Sequence, residues 1–406
     1  MLKRVHRLRE QLPSSSGAPA DIDIALLGAV LALLAIGLVM VGSASMDVSE
    51  DIFGDPLRIV IKQSVFMAIG LLVAGGAMLF PIERIQRWSA VGLLVTFILL
   101  VLVLIVGREI NGSTRWIPLG FFNLQASEVA KLGTVIYMAG YLVRHLDQVR
   151  SKLLGFIKPM IIMGLLAGLL LAEPDFGALV VLAVAMTGMI FMAGTPIKYI
   201  AAMIAFFGAL GVAVVIFEPY RMARVISYTD PWAHAYGSGY QLTQALIAFG
   251  RGAWFGEGLG NSIQKLFYLP EAHTDFIFAV LAEEFGVVGS LAVLALFLFV
   301  TWRSLQLGVR AEAKGMLYHA YVAYGITLLF ASQALINLGV NTGALPTKGL
   351  ALPMISYGGS SLLVNCLAFG ILLRIDFERR RASRSQPVTG NKKHKASDSA
   401  GGSIYG

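Results

Sequence analysis

Apolar residues run through this chain in ten long stretches separated by polar breaks, at roughly 23–43, 58–80, 88–106, 127–143, 156–172, 177–193, 198–217, 275–301, 315–338 and 352–373. Each approaches the ~20 residues that carry a helix across a bilayer. The pattern predicts an all-α polytopic membrane protein of about ten transmembrane helices. It has a short segment 1–21 before the first stretch, a membrane domain over 22–380 and a polar tail over 381–406. Composition agrees: of 406 residues, 57% are hydrophobic and only 14% charged, and the mean hydropathy of +0.74 lies far outside the range of soluble domains.

Charge then orients the helices. Most of the 32 Lys and Arg fall in segments that share one side if the N-terminus is cytoplasmic, so the positive-inside rule places both termini in the cytoplasm. The net charge of +8 concentrates in juxtamembrane clusters such as Arg379–Arg381 and Lys392–Lys393. That distribution fits attraction to anionic membrane lipid rather than to nucleic acid. The Ser-, Gly- and Lys-rich tail predicts disorder. Cys366 is the sole cysteine, which excludes an intrachain disulfide. No signal-peptide cleavage pattern precedes the first stretch, so that stretch serves as the first anchor. No strong internal repeat is visible, which weakens an inverted-repeat transporter reading.

One interruption is long: residues 218–274, on the outer side, between the seventh and eighth helices. Within it, Gly239–Gly250 puts Leu242, Ala245, Leu246 and Phe249 on one helical face, the pattern of an amphipathic helix on the outer leaflet. Gly250–Gly260 follows with five glycines but without the Lys-Ser/Thr pair of a P-loop. A tight turn packed on membrane helices is the plainer account.

Ionisable side chains inside a bilayer are costly and mark function or a buried partner. Here they gather in the outer half. Lys62 lies roughly 7 Å from the outer end of its span. Glu128 and Lys131 share one helix face, either as an ion pair that fixes packing or as ligand contacts. Glu173 and Asp175 flank Pro174 at an outer turn, and His273 reads as a polar loop residue. Glu283 and Glu284 lie about 12 to 14 Å beyond Asp275, and by depth Lys62 is their expected partner. Asp275 opens the eighth apolar stretch at the mouth of the bilayer. It can cap a helix there, although Thr274 could do the same, or it can remain ionised and take a proton from an incoming hydroxyl. Leu345–Ser361 adds two prolines, three glycines and Lys348 at the outer end of a span. Broken backbone at that depth lines a cavity or packs behind one.

At these residues the chain resembles the SEDS family (shape, elongation, division and sporulation) of bacterial cell-wall glycan polymerases. Tyr268–Phe278, which contains Asp275, and Pro346–Ser361 carry the likeness. Glu218–Arg221, Gly237–Gln244 and Asn111–Ile117 agree, and the likeness extends from about 22 to 380. The Pro346-Thr-Lys-Gly form and the 237–275 stretch are similar to the division branch more than to the elongation branch. One departure is Ala126 where family members usually carry Pro before Ser-Glu, which makes the start of that helix less rigid.

The resemblance implies a peptidoglycan glycosyltransferase that polymerises lipid II at the periplasmic face of the bacterial inner membrane, at the division septum. Asp275 is the implied catalytic residue. The leaving undecaprenyl pyrophosphate needs cations, for which Arg115, Arg221, Arg224, Arg251, Lys265, Lys348 and Lys62 are candidates. A divalent cation, Mg or Mn, could share that task, although no His or Cys cluster announces one. The implied partners are lipid II and the undecaprenyl-pyrophosphate-linked glycan, a class B penicillin-binding transpeptidase of the FtsI type, and septal regulators. A lipid II flippase and a non-catalytic scaffold are the rival functions; charges that stop near the midplane favour the enzyme over the flippase.

Overall fold

The computed structural model describes residues 22–385, apart from 111, 112, 121, 218 and 348. Ten helices follow the ten apolar stretches: α1 (Ile24–Phe53), α2 (Arg58–Leu79), α3 (Ile82–Val106), α4 (Ala126–Arg144), α6 (Leu153–Ala172), α7 (Phe176–Met192), α8 (Ile197–Ile216), α11 (Ile277–Glu312), α12 (Leu317–Asn341) and α13 (Gly359–Ser385). Three shorter helices lie between them: α5 (Leu146–Ser151), α9 (Pro219–Thr229) and α10 (Tyr240–Gly252). Eight of the ten are long and apolar enough to cross a membrane. Of the other two, α7 has 17 residues and α4 carries Glu128 and Lys131 in its first turns. The protein is a multi-pass membrane protein.

Helix ends depart from the hydropathy boundaries where polar residues cap or extend them. Asp23 accepts from the Leu26 N–H at 3.1 Å to start α1. That helix runs on to Phe53, where Gly54 takes a left-handed φ of 67° and donates to Glu50 O. At the other extreme, the first residues of the tenth apolar stretch, 352–358, are not helical. They fold as turns, with Met354 in the left-handed region at φ 67°, and α13 begins only at Gly359.

Helices α12 and α13 form the centre, with 67% of each span buried, and Tyr321 and Tyr324 are fully enclosed in α12. At the periphery, α8 buries 11% and leaves Ile204, Phe206, Val212 and Ile216 exposed, a surface suited to lipid. The expected leaflet-bound helix is α10. Its Leu242, Ala245 and Ala248 are buried, and Phe249 meets the Phe278 ring of α11 at 5.8 Å. Its apolar face therefore packs on protein instead of lying in a leaflet.

A small antiparallel sheet between α3 and α4 adds an element that the helical pattern did not announce: β1 (Arg108–Ile110), β2 (Ser113–Pro118) and β3 (Asn123–Gln125), in the order β1-β2-β3. Trp116 pairs with Gln125, and β3 leads directly into α4. Ser360 at the start of α13 fixes this junction, accepting from the Gln125 N–H and donating to Asn123 O, each at 3.0 Å. Arg115 is thereby carried to the end of the bundle that also holds Asp275.

Candidate active site

Asp275 lies just outside α11 and does not cap it; Phe276 occupies the cap position. Its backbone is held from two sides. Asn337 and Asn341, one turn apart at the end of α12, each donate a side-chain N–H to Asp275 O at 2.9 Å. Asn341 also accepts from the Ala279 N–H at 3.1 Å, which ties the first turn of α11 to the same clamp. On the other side, Ser356 donates to Thr274 O at 2.6 Å and the Tyr357 N–H to His273 O at 3.0 Å. Burial makes His273 harder to protonate than an ordinary imidazole. These bonds use the backbone and leave the Asp275 side chain out. Among the described residues, its half-buried carboxylate makes no hydrogen bond.

Around that carboxylate stand charges of both signs. A methyl group at Gly349 would lie 3.1 Å from Asp275 Oδ2 and 3.9 Å from Arg115 Nη1, so the two side chains border one space and glycine keeps it open. Arg115 donates to Pro174 O, and Arg224 donates to Thr347 O at 3.1 Å. Desolvation, aided by the nearby Glu271, pushes the Asp275 acid up to about 7 against the pull of Arg115 and Arg224. Its proton affinity is thus matched to neutral pH, as general-base work requires.

The structure buries both acids of the turn around Pro174. Glu173 and Asp175 have 0% and 1% exposure. Asp175 is well served: it accepts from Ser127 Oγ at 2.7 Å and from the Ala178 N–H at 3.2 Å, capping α7. Glu173 has no hydrogen-bond partner for either carboxyl oxygen among the described residues.

The deeper charges form satisfied assemblies. Lys131 pairs with Glu128 at 2.9 Å and donates to Gln333 Oε1 at 2.6 Å; Gln333 in turn donates to Ala351 O at 3.0 Å. One chain of bonds thus links α4, α12 and the loop near Gly349. Glu283 accepts from Arg251 at 2.8 Å, Ser262 Oγ at 2.5 Å and the N–H groups of Ile263 and Gln264. Glu284 pairs with Lys265 at 2.9 Å, and Ser43 of α1 bonds both. A break in α11 permits this. Gly286 sits at φ 66°, ψ −164°, which frees backbone groups that the glycine loop then takes up: Glu257 and Gly258 donate to Glu283 O and Glu284 O, while Val287 and Val288 donate to Ala253 O and Trp254 O. A Cβ on Gly256 would stand 2.2 Å from Glu284 O, so the loop needs glycine there.

The architecture and sequence are both those of known proteins. A model of the FtsW, RodA and SpoVE cell cycle proteins matches residues 24–381. This chain belongs to the FtsW/RodA/SpoVE family. Among its FtsW/RodA/SpoVE relatives, the probable peptidoglycan glycosyltransferase FtsW of Hahella chejuensis is 53% identical over 359 residues, covering 88% of this chain and 90% of its own. The protein of the same description from Pseudomonas fluorescens is 52% identical over 370 residues, 91% of each chain. Among solved structures, a chain from work described as structural coordination of polymerization and crosslinking by a peptidoglycan synthase complex superposes with a TM-score of 0.73 at 29% identity, covering 88% of this chain and 98% of that one. The rod shape determining protein RodA of Thermus thermophilus gives 0.65 at 28% identity, covering 88% and 97%.

For this FtsW/RodA/SpoVE member, the cation candidates separate by surroundings. Arg115 and Arg224 act on Asp275. Lys265 is buried in its pair with Glu284, and Arg251 is engaged by Glu283. These two basic groups, rather than the expected Lys62, partner the paired glutamates. Lys62 is exposed, its ammonium 4.8 Å from the Phe53 ring centre: the side chain extends outward along the end of α1, away from the glutamates. Lys348 and the Arg221 side chain lie outside the described residues. Among the described residues, the convergent His and carboxylate set is Glu83, His319 and Glu378, at the opposite end of α12, and Asp275 is not part of it. There Glu378 is already bonded by His319 at 2.7 Å and Arg374 at 2.6 Å.

Asn337 and Asn341 were not among the expected site residues. Their signal was present: two asparagines with a one-turn spacing at the end of an otherwise apolar helix.

Proposed function

We propose that this chain is a peptidoglycan glycosyltransferase that polymerises lipid II at the periplasmic face of the inner membrane during septation, with Asp275 as the general base. The carrying observation is a carboxylate with no hydrogen bond of its own, fixed through its backbone and bordered by two arginines. The 4-hydroxyl of an acceptor N-acetylglucosamine attacks C1 of the N-acetylmuramic acid that ends the growing strand. Its proton passes to Asp275 as the new glycosidic bond forms with inversion, and the bond to undecaprenyl pyrophosphate breaks. In this reading Arg115 and Arg224 compensate the leaving group's negative charge. Identity near 50% to proteins described as FtsW supports the division role.

The Asn337 and Asn341 clamp serves this step by holding the base in one position before substrate arrives, so that little orientation is lost at the moment of reaction. A proton affinity near pH 7 also gives a sign: Asp275 works as the anion, so turnover falls as pH drops below about 7. Likeness to a chain of a peptidoglycan synthase complex supports a crosslinking transpeptidase of the FtsI type as partner, with septal regulators around the pair. Orientation follows the positive-inside rule, which puts the Asp275 end in the periplasm.

The test is polymerisation of purified lipid II by the purified protein, alone and with a class B transpeptidase. Glycan strands that need no other polymerase are the expected product. Lipid II transport across vesicles without polymer would overturn the enzyme reading in favour of a flippase.

A further inference from the structure

Glu173 is a buried acid that the mechanism above does not use. Its carboxyl is wholly shielded from solvent at the end of α6, and neither oxygen has a hydrogen-bond partner among the described residues. Two charged groups face it. Asp175, across Pro174 at the start of α7, repels a second negative charge, while Arg115 of β2 attracts one. Arg115 is itself only partly engaged: one Nη donates to Pro174 O, the other looks toward Asp275 across Gly349, and its Nε is buried without a partner. Thus the acid is unbonded, Arg115 is bonded to the adjacent Pro174 carbonyl, and no ion pair joins the two.

An ionised carboxylate within reach of an arginine takes its N–H in a charge-assisted bond. A neutral acid exerts no such pull on the guanidinium. We propose that Glu173 is a positioning residue that works in its protonated form: while uncharged it leaves Arg115 turned toward Asp275 and the substrate's pyrophosphate, and on losing its proton it takes an Arg115 N–H in an ion pair and turns the guanidinium away from Asp275. This rests on the reading of Asp275 as base and Arg115 as an anion-facing group. Desolvation and Asp175 push the Glu173 acid up to about 8, against the pull of Arg115, so the proton stays on at neutral pH. Asp275, with Glu271 and Arg224 about it, sets the acid side of the profile, and Glu173 sets the alkaline side.

The test compares kcat/KM for lipid II polymerisation by wild-type protein and Glu173→Gln from pH 6 to pH 9. Glutamine is permanently neutral, so it cannot seize Arg115. The variant to wild-type ratio should rise about tenfold between pH 7 and pH 9, as expected when a group titrating near 8 goes from mostly protonated to mostly ionised. A ratio that stays flat overturns the proposal. Glu173→Met, neutral and apolar, should give the same profile and replaces the glutamine variant should that fail to fold. Thermal unfolding supplies a readout independent of turnover. The unfolded chain sheds this proton near the ordinary glutamate value while the folded chain keeps it to about 8, so the wild-type midpoint should fall with pH across that window relative to Glu173→Gln. Parallel melting curves would show that Glu173 is ionised in the fold and would also overturn the proposal. Failure of the underlying reading looks different: Asp275→Asn would keep the acid limb, or wild-type protein would make no polymer at any pH, while the melting comparison still decides the state of Glu173.

Discussion

Glu283 and Glu284 in α11 differ from Asp275 and Glu173 in what surrounds them, although all four are carboxyl groups at the same end of the bundle. Arg251 and Lys265 meet the α11 glutamates, with Ser43, Ser262 and two backbone N–H groups completing the set. Asp275 and Glu173 have no hydrogen bonds to their carboxyl groups among the described residues and share the influence of one arginine. A carboxylate whose charge is matched is committed to holding α11, the glycine loop and α1 together. One left unmatched in a desolvated place binds a proton near neutral pH and is available for proton transfer. The first arrangement builds the floor on which the second stands.

Breaking the first cluster gives the largest effect. Glu284→Ala leaves the Lys265 ammonium buried without its counter-charge, which costs about 3 to 5 kcal/mol of stability. A much lower thermal midpoint and loss of folded protein from the membrane are expected. If this variant melts like wild type, the α11 pair is not structural. A reversal of Glu128 and Lys131 probes an intermediate case, because that pair also reaches the Gly349 loop through Gln333. Either single reversal should lower membrane levels or polymerisation, and the double swap should recover part of the loss. Normal folding with no activity in the swap would assign the pair to substrate instead. Lys62→Ala should do least: an exposed cation–π contact is worth ~0.5–1 kcal/mol, so the expected result is near wild-type stability and polymerisation. A large fall in activity would return Lys62 to the site.

The two clusters were not equally legible in the sequence. Helix existence followed from apolar stretches, because burial in lipid requires them. Helix ends did not, since α11 continues through Arg303, Arg310 and Glu312, where lipid no longer demands apolar residues. Asp275 was visible as a carboxylate opening a span. Its setting was not, because the asparagine clamp comes from α12 and the second wall from the turns near Ser356. Depth along the chain paired Lys62 with the glutamates, while the fold pairs them with Arg251 and Lys265. Depth ignores which helices are neighbours, and the Gly286 break that brings the loop against α11 depends on tertiary hydrogen bonds. The short sheet that delivers Arg115 was hidden for a similar reason: strands this short are decided by their partners more than by their own residues.

Substituting Asp275 by Asn tests the central claim most directly, with lipid II polymerisation and thermal unfolding measured on the same purified protein. The change keeps size and hydrogen-bonding shape and removes the basic lone pair. Loss of a general base lowers rate about 10²- to 10⁴-fold. The account predicts a loss of that size with the thermal midpoint unchanged or raised, because a charge no longer has to be held away from water. Glycan strands made at near wild-type rate by Asp275→Asn, with contaminating polymerases excluded, would contradict it.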